Sequence, residues 1–273
     1  MKDDKKATED TFVAGLDIGA ATAKAVVLKS KEVVSSSLMP TGHSVIEATE
    51  SVIKKALHRA GLSRSDLRYI VSTGYGRRAV PFANKAITEI ICHAAGVKSV
   101  VPQARTVIDI GGQDSKVIGI DEHGSVNNFA MNDKCSAGTG RFLEVMARVL
   151  EITIDEMGPI SLRCQKPCGI SSTCTVFAET EMVSLRAQGE TREDMLGGIH
   201  KALAHRVAIM GAPVGFKGQV VFTGGVAKNV GIKKALEDEI GVGILVPREP
   251  QLTGALGAAL LARAELVRGT ETR

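Results

Sequence analysis

Two short stretches of the chain place an acidic residue, a glycine and a lysine in the same order: Asp17–Lys24 reads DIGAATAK and Asp109–Lys116 reads DIGGQDSK. Each leaves an apolar run and enters another, AVVL after the first and VIGI after the second. A strand ending in Asp-Ile-Gly reverses tightly, because Gly19 and Gly111 accept backbone angles closed to other residues. The reversal leaves amide N–H groups and small side chains at its tip, which suits phosphate oxygens. Candidate phosphate-binding residues are therefore Gly19, Ala20, Ala21, Thr22 and Lys24 in the first copy, and Gly111 and Gly112 in the second. The carboxylates of Asp17 and Asp109, expected to face one another across a cleft, suit Mg²⁺ held through water. Gln113 or Asp114 is placed to orient the water that attacks a γ-phosphate, a reaction that needs positioning more than covalent chemistry. Either copy alone reads as a hairpin with Asp at its turn; two copies with the same flanks suggest two related half-folds facing one another.

A third element points the same way. Phe222–Asn229 reads FTGGVAKN, an apolar strand opening into Gly224 and Gly225 at a helix start that carries Asn229. Without side chains there, the backbone can lie against a flat ring or a ribose. Leu252–Leu260, LTGALGAAL, puts Gly254 among small residues where a helix packs tightly. Neither G-x-x-x-x-G-K-[ST] nor G-x-G-x-x-G occurs, which argues against a P-loop or a dinucleotide-binding fold.

The second kind of chemistry lies in the cysteines. Asn132–Glu144, NDKCSAGTGRFLE, places Cys135 shortly before a helix beginning near Gly140, and Ile170–Glu181, ISSTCTVFAETE, places Cys174 immediately before another. Helix N-termini favour negative charge, a thiolate included. Two cysteines are half of what a [4Fe–4S] cluster takes, so two identical chains would complete one on a dimer axis. The plainer reading makes them small, partly buried residues. Cys164 and Cys168, in RCQKPC (Arg163–Cys168), allow an intrachain set with Cys135 and Cys174 or a second redox pair; the preferred reading is a bystander role. Cys92 reads as core, and the six His lack the spacing of a zinc site.

Short β-branched runs alternating with helical periodicity position these residues in an α/β fold. Strands are expected at Phe12–Leu16, Ala25–Leu28, Tyr69–Ser72, Thr106–Ile110, Lys116–Ile120 and Gln219–Phe222. Helices are expected at Val45–Ala60 with Gly61 as cap, Ala83–Ala95 with Gly96 as cap, Gly140–Leu150, Thr175–Ala187, Arg192–Gly211, Val230–Ile240 and Thr253–Leu266.

The 273 residues are 44% apolar and 23% charged, the balance of a folded chain with room for two domains. Aromatics at 3%, with no Trp, and a net charge of +4 spread along the chain give nucleic acid neither a stacking platform nor a basic patch. No apolar run approaches the ~20 residues of a membrane span. The opening MKDDKKATED lacks an apolar signal segment, so a cytoplasmic protein with a disordered polar tail over residues 1–11 is expected. An odd count of five cysteines points toward thiol or metal chemistry, away from structural disulfides.

The two DIG turns, TGGVAKN and the final small-residue helix, in this order, resemble the phosphate, adenosine and last-helix elements of the actin/Hsp70/sugar-kinase superfamily. That implies two ribonuclease-H-like lobes with an ATP cleft between them: residues 12–102 plus 252–273 in one, and 103–251, with the cysteines, in the other. TGYGRR (Thr73–Arg78), VIDIGGQDSKVI (Val107–Ile118), MNDKCSAGTGRFLEVMA (Met131–Ala147), ISSTCTVFAE (Ile170–Glu179), GIHKALAHRV (Gly198–Val207), TGGVAKN (Thr223–Asn229) and GALGAAL (Gly254–Leu260) resemble a narrower group. It comprises the activators (component A) of 2-hydroxyacyl-CoA dehydratases, within the BadF/BadG/BcrA/BcrD-type ATPases that include benzoyl-CoA reductase subunits. The resemblance implies a homodimer with one [4Fe–4S] cluster, ATP/ADP and Mg²⁺ as cofactors, and a dehydratase or reductase partner bearing its own iron–sulfur cluster. It also implies ferredoxin or flavodoxin as electron donor. Rival expectations are the ATPase subunit of a benzoyl-CoA or double-cubane-type reductase, and a cluster-free small-molecule kinase.

Overall fold

The computed structural model describes residues 11–170 and 174–271. The expected tail, apart from Thr11, lies outside them, as do Ser171, Ser172 and Thr173 of the second cysteine segment. In chain order the described elements begin with β1 (Phe12–Ile18), β2 (Thr22–Lys29), β3 (Glu32–Pro40), α1 (Val45–Ala60), β4 (Leu67–Thr73), β5 (Lys85–Ala86) and α2 (Glu89–Val100). There follow β6 (Ala104–Ile110), β7 (Ser115–Ile120), β8 (Val126–Asn132), α3 (Gly140–Val149), α4 (Ile154–Ser161), α5 (Thr175–Ala187) and α6 (Arg192–Gly211). Last come β9 (Gln219–Thr223), α7 (Val230–Ile240), β10 (Ile244–Leu245) and α8 (Thr253–Glu271). They fall into two compact units: the described residues up to Pro102 with His123–Val126 and those from Gln251 on, and Gln103–Glu122 with Asn127–Pro250.

In the first unit the sheet order is β3-β2-β1-β4-β5, with β1 antiparallel to β2 and parallel to β4. Side chains alternate across a strand, so β1 sends Ala14, Leu16 and Ile18 toward α1 and Val13 toward α8. Burial on both faces explains the apolar stretches Phe12–Leu16 of β1 and Ala25–Leu28 of β2. The helix α8 lies almost backbone to backbone on its neighbours: a Cβ on Gly15 would fall 2.1 Å from the Ala255 carbonyl oxygen, and one on Gly257 would fall 1.7 Å from that of Cys92.

The second unit repeats the plan. Its order is β10-β9-β6-β7-β8, with β6 antiparallel to β7 and parallel to β9, so β6 to β10 stand where β1 to β5 stand in the first. Its core joins Ile108, Val117 and Phe222 of the sheet to Phe142 and Met146 of α3, Ala178 and Met182 of α5, and Leu196, Ile199 and Leu203 of α6. The duplication inferred from the two DIG segments thus extends to whole sheets.

Several sequence expectations are corrected. Gly96 does not cap a helix ending at Ala95; it lies inside α2, where a Cβ would fall 1.9 Å from the Thr253 carbonyl oxygen. The helix also starts later than expected, because Lys85–Ala86 pairs in parallel with Val71 and Ser72. The final helix runs past Leu266 to Glu271. Four strands, β3, β5, β8 and β10, and the helix α4 were not expected. The serines of β3 are held by tertiary contacts, Ser35 and Ser37 donating to the Ala56 and Val52 carbonyls of α1 at 2.8 and 2.6 Å.

Candidate functional site

Antiparallel register sets Asp17 opposite Lys24 and Asp109 opposite Lys116. Each lysine reaches back across its hairpin: Lys24 Nζ lies 3.0 Å from Asp17 Oδ2, and Lys116 Nζ lies 3.3 Å from Asp109 Oδ2 and 2.8 Å from Asp114 Oδ1. The turns close alike, with the Gly19 N–H donating to the Thr22 carbonyl at 3.0 Å and the Gly111 N–H to that of Asp114 at 2.9 Å. Asp17, Asp109, Asp114 and Lys116 are all buried, and a buried charge is tolerable only when paired. Gly19, Ala20, Thr22, Gly111 and Gly112 are half-buried at the tips, while Ala21 and Gln113 are exposed. Of the two candidates for orienting water, Gln113 is thus open and Asp114 is engaged with Lys116.

A matching pair of turns follows the strands parallel to β1 and β6. Register sets Thr73 beside Asp17 and Thr223 beside Asp109. After each threonine comes a glycine with positive φ, Gly74 at +84° and Gly224 at +88°. A Cβ on Gly74 would lie 2.6 Å from Asp17 Oδ1 and one on Gly224 2.2 Å from the Ile110 carbonyl oxygen, so each turn needs glycine for conformation and for space. Thr223 Oγ1 donates to Asp109 Oδ1 at 2.8 Å. Gly225 is exposed. Asn229 is committed locally: its Oδ1 accepts from the Gly231 and Ile232 N–H groups as the N-cap of α7, and its Nδ2 lies 3.5 Å from His200 Nε2. Burial pushes the His200 imidazole down to about 4, so it stays neutral. At the start of α8, a Cβ on Gly254 would meet Asp17 Oδ2 and His93 Nε2, each at 3.1 Å, which brings His93 to the first turn.

Sequence reasoning missed Lys116, Thr223, Thr73, Gly74 and His93 as members of these sites. The lysines were legible as the seventh residue after each Asp, and TGYG as a second TGG; His93 carried no signal.

The cysteines lie on the second unit. Cys174 is the N-cap residue of α5, extended at φ −149°, and its side chain makes no capping hydrogen bond. Cys135 precedes α3 in a loop fastened by Asn132 Nδ2, which donates to the Cys135 and Ala137 carbonyls at 2.8 and 3.2 Å. The residues after the two cysteines touch, with Ser136 Oγ and Thr175 Oγ1 2.8 Å apart. Both thiols are half-buried, while Val176 and Phe177 beside Cys174 are 64% and 63% exposed. The same unit ties this region to its phosphate-type turn: the Gly140 and Arg141 N–H groups at the start of α3 donate to the Gly111 and Gly112 carbonyls at 2.9 and 2.8 Å.

Cys164 and Cys168 have a different environment. Cys164 packs on α6, its Sγ 2.3 Å from where a Gly197 Cβ would sit, and burial pushes its thiol up to about 11. Burial and then Glu190 raise the Cys168 thiol. Cys92, in the core, is pushed up to about 12, again chiefly by burial. Among the described residues no three or more His, Cys, Asp or Glu side chains gather as a metal site. Two thiols on segments that touch at the next residue fit half the ligand set of a [4Fe–4S] cluster. Each of the carboxylates Asp17 and Asp109 is already paired with its own lysine, so direct ligation of Mg²⁺ by either would compete with that pair, whereas ligation through water would not.

Two sheets of one topology, each with its glycine-rich hairpin, define the two-lobed ATPase fold of actin, Hsp70 and the sugar kinases. A glucokinase from Streptomyces griseus shares that fold at a TM-score of 0.55 and 16% identity, over 93% of this chain and 99% of its own. The chain belongs to the BadF/BadG/BcrA/BcrD ATPase family, whose pattern matches residues 14–262. It is 47% identical to the 2-hydroxyisocaproyl-CoA dehydratase activator of Clostridioides difficile, over 92% of this chain and 94% of that one. It is 44% identical to the (R)-2-hydroxyglutaryl-CoA dehydratase activating ATPase of Acidaminococcus fermentans, over 92% and 96%. The solved structure of the Clostridium difficile activator with bound ADPNP superposes at a TM-score of 0.91, with 45% identity, over 96% of this chain and 98% of that one. No helix among the described residues is long and apolar enough to cross a membrane.

Proposed function

We propose that the protein is an ATP-hydrolysing, low-potential electron donor that activates a 2-hydroxyacyl-CoA dehydratase. The observation that carries this reading is the pair of hydrogen bonds from Gly140 and Arg141 to Gly111 and Gly112, which join a phosphate-type turn to the cysteine-bearing helix start. In this reading the Gly19–Thr22 and Gly111–Gly112 turns present N–H groups to ATP phosphates, and Lys24 and Lys116 hold the carboxylates of Asp17 and Asp109 in place. Asp17 and Asp109 anchor hydrated Mg²⁺, and Gln113 orients the attacking water. Gly224 and Gly225 offer bare backbone to the nucleoside. Asn229, held by its cap, follows that turn, and Gly254 lies beside Asp17 of the first unit.

A [4Fe–4S] cluster held by Cys135 and Cys174 of two copies supplies a one-electron donor. The exposed Val176 and Phe177 next to Cys174 support its being covered by a second copy, since large apolar side chains clustered at a surface mark an interface. The partner is a dehydratase component with its own iron–sulfur cluster, and ferredoxin or flavodoxin recharges the donor. Purified without oxygen, the protein should be a brown homodimer with about four irons per dimer. Cys135→Ser or Cys174→Ser should remove the iron, and Cys164→Ser and Cys168→Ser should not. A colourless monomer that phosphorylates a small molecule would replace this reading with that of a kinase.

A further inference from the structure

The two cysteines are anchored very unequally. The loop carrying Cys135 is clamped by Asn132 and by Thr139, the N-cap residue of α3, whose N–H and Oγ1 donate to the Ser136 carbonyl at 3.0 and 2.6 Å. The next two N–H groups, of Gly140 and Arg141, bind the turn at Gly111–Gly112. Cys174, by contrast, caps α5 without a side-chain hydrogen bond. Ala178 and Met182 turn one face of α5 into the core. Apolar packing is non-directional, so it fixes that face more firmly than the position of the helix along its axis. A hydrogen bond has a preferred distance and angle and does fix it. At the N-terminal end of α5 the Ser136–Thr175 hydroxyl contact, at 2.8 Å, is such a bond, between the residues that directly follow the two cysteines, while at the far end Arg186 Nη1 donates to the Val149 carbonyl at 3.3 Å.

We infer, resting on the function proposed above, that this hydroxyl pair is the latch through which the state of the Gly111–Gly112 turn reaches Cys174, whereas Cys135 is reached directly through its own loop. Ser136 and Thr175 are positioning residues; their hydroxyls act on one another. A displacement of the turn moves the start of α3, Thr139 carries it to Ser136, and the hydroxyl pair carries it to the first turn of α5. Removing one hydroxyl therefore separates the two cysteines: Cys135 continues to follow the nucleotide and Cys174 does not.

The test uses the full-length chain purified in air and then reduced with a thiol-free phosphine, with alkylation of each cysteine by iodoacetamide resolved by mass spectrometry at fixed pH. Rates are compared without nucleotide, with MgADP and with a non-hydrolysable MgATP analogue. In the wild type the rates at Cys135 and Cys174 should both differ between the two nucleotides, by about fivefold, the lower end of ordinary allosteric coupling. Thr175→Val, which keeps shape and loses the hydroxyl, should abolish the difference at Cys174 and leave it at Cys135. Ser136→Ala should do the same, and Thr175→Ser should restore the wild-type pattern. A Cys174 response that survives in both Thr175→Val and Ser136→Ala, or that Thr175→Ser does not restore, overturns the latch. Calorimetry on the same samples reports nucleotide binding independently of the cysteines. Nucleotide binding with a response at wild-type Cys135 but none at Cys174 overturns the latch alone, and absence of nucleotide binding, or of a response at either cysteine, overturns the proposed function and the latch together.

Discussion

At Lys116 a wholly buried ammonium lies between the carboxylates of Asp109 and Asp114, whereas its counterpart Lys24 keeps 13% of its side chain exposed beside Asp17. Removing one member of a buried ion pair leaves an uncompensated charge and costs about 3–5 kcal/mol. Lys116→Met should therefore lower the urea midpoint far more than Lys24→Met; equal losses would contradict the buried arrangement. Asp17→Asn and Asp109→Asn remove the carboxylates proposed to anchor hydrated Mg²⁺, so ATP turnover should fall more than ATP affinity does. Wild-type turnover in both variants would displace the metal from these residues. His200 gives a pH prediction whose sign follows from proton binding. Below its ordinary value of 6.5 the unfolded chain takes up a proton that the native imidazole refuses until about 4. Stability from this source is fully present above 6.5 and drains away as the pH falls toward 4. Protonation would also turn Nε2 from an acceptor facing Asn229 into a donor. His200→Gln should flatten the stability profile between those limits, and an unchanged slope would refute the assignment.

The crossing of α2 and α8 in the first unit depends on glycines with no room for a side chain, as at Gly257 against the Cys92 carbonyl. Gly257→Ala would have to push these backbones apart, and over-packing of this kind costs about 1–3 kcal/mol, so the thermal midpoint should drop clearly. An unaltered midpoint would mean the helices separate without resistance. Gly224→Ala adds a strained positive φ to a clash with the Ile110 carbonyl and should weaken nucleotide binding as well as stability.

Elements with strong local signals were legible in the sequence: α1, α5, α6 and α7 begin and end where their periodicity and caps place them. Those formed by tertiary contact were not. Gly158 and Pro159 masked α4 despite the Thr153–Glu156 capping box, and β3 owes its serines to carbonyls on α1. The site divides similarly. The DIG turns, with a lysine seven residues after each Asp, and both cysteines were visible as segments, while His93 near Asp17 and the Ser136–Thr175 contact arise only when distant segments meet.

For the molecule as a whole, an ATP-driven electron donor requires that nucleotide and thiol chemistry be coupled. Binding free energies couple reciprocally, so a nucleotide that changes the cysteine-bearing helix starts must itself be bound differently when the electron carrier is reduced. The most direct measurement is the rate at which an iron chelator removes iron from the anaerobically purified protein without nucleotide, with MgADP and with a non-hydrolysable MgATP analogue. The account predicts markedly faster stripping, with a shifted reduction potential, in the ATP-like state than with MgADP. Identical rates and potentials in all three states would leave an iron-bearing ATPase without energy coupling and would contradict the proposed function.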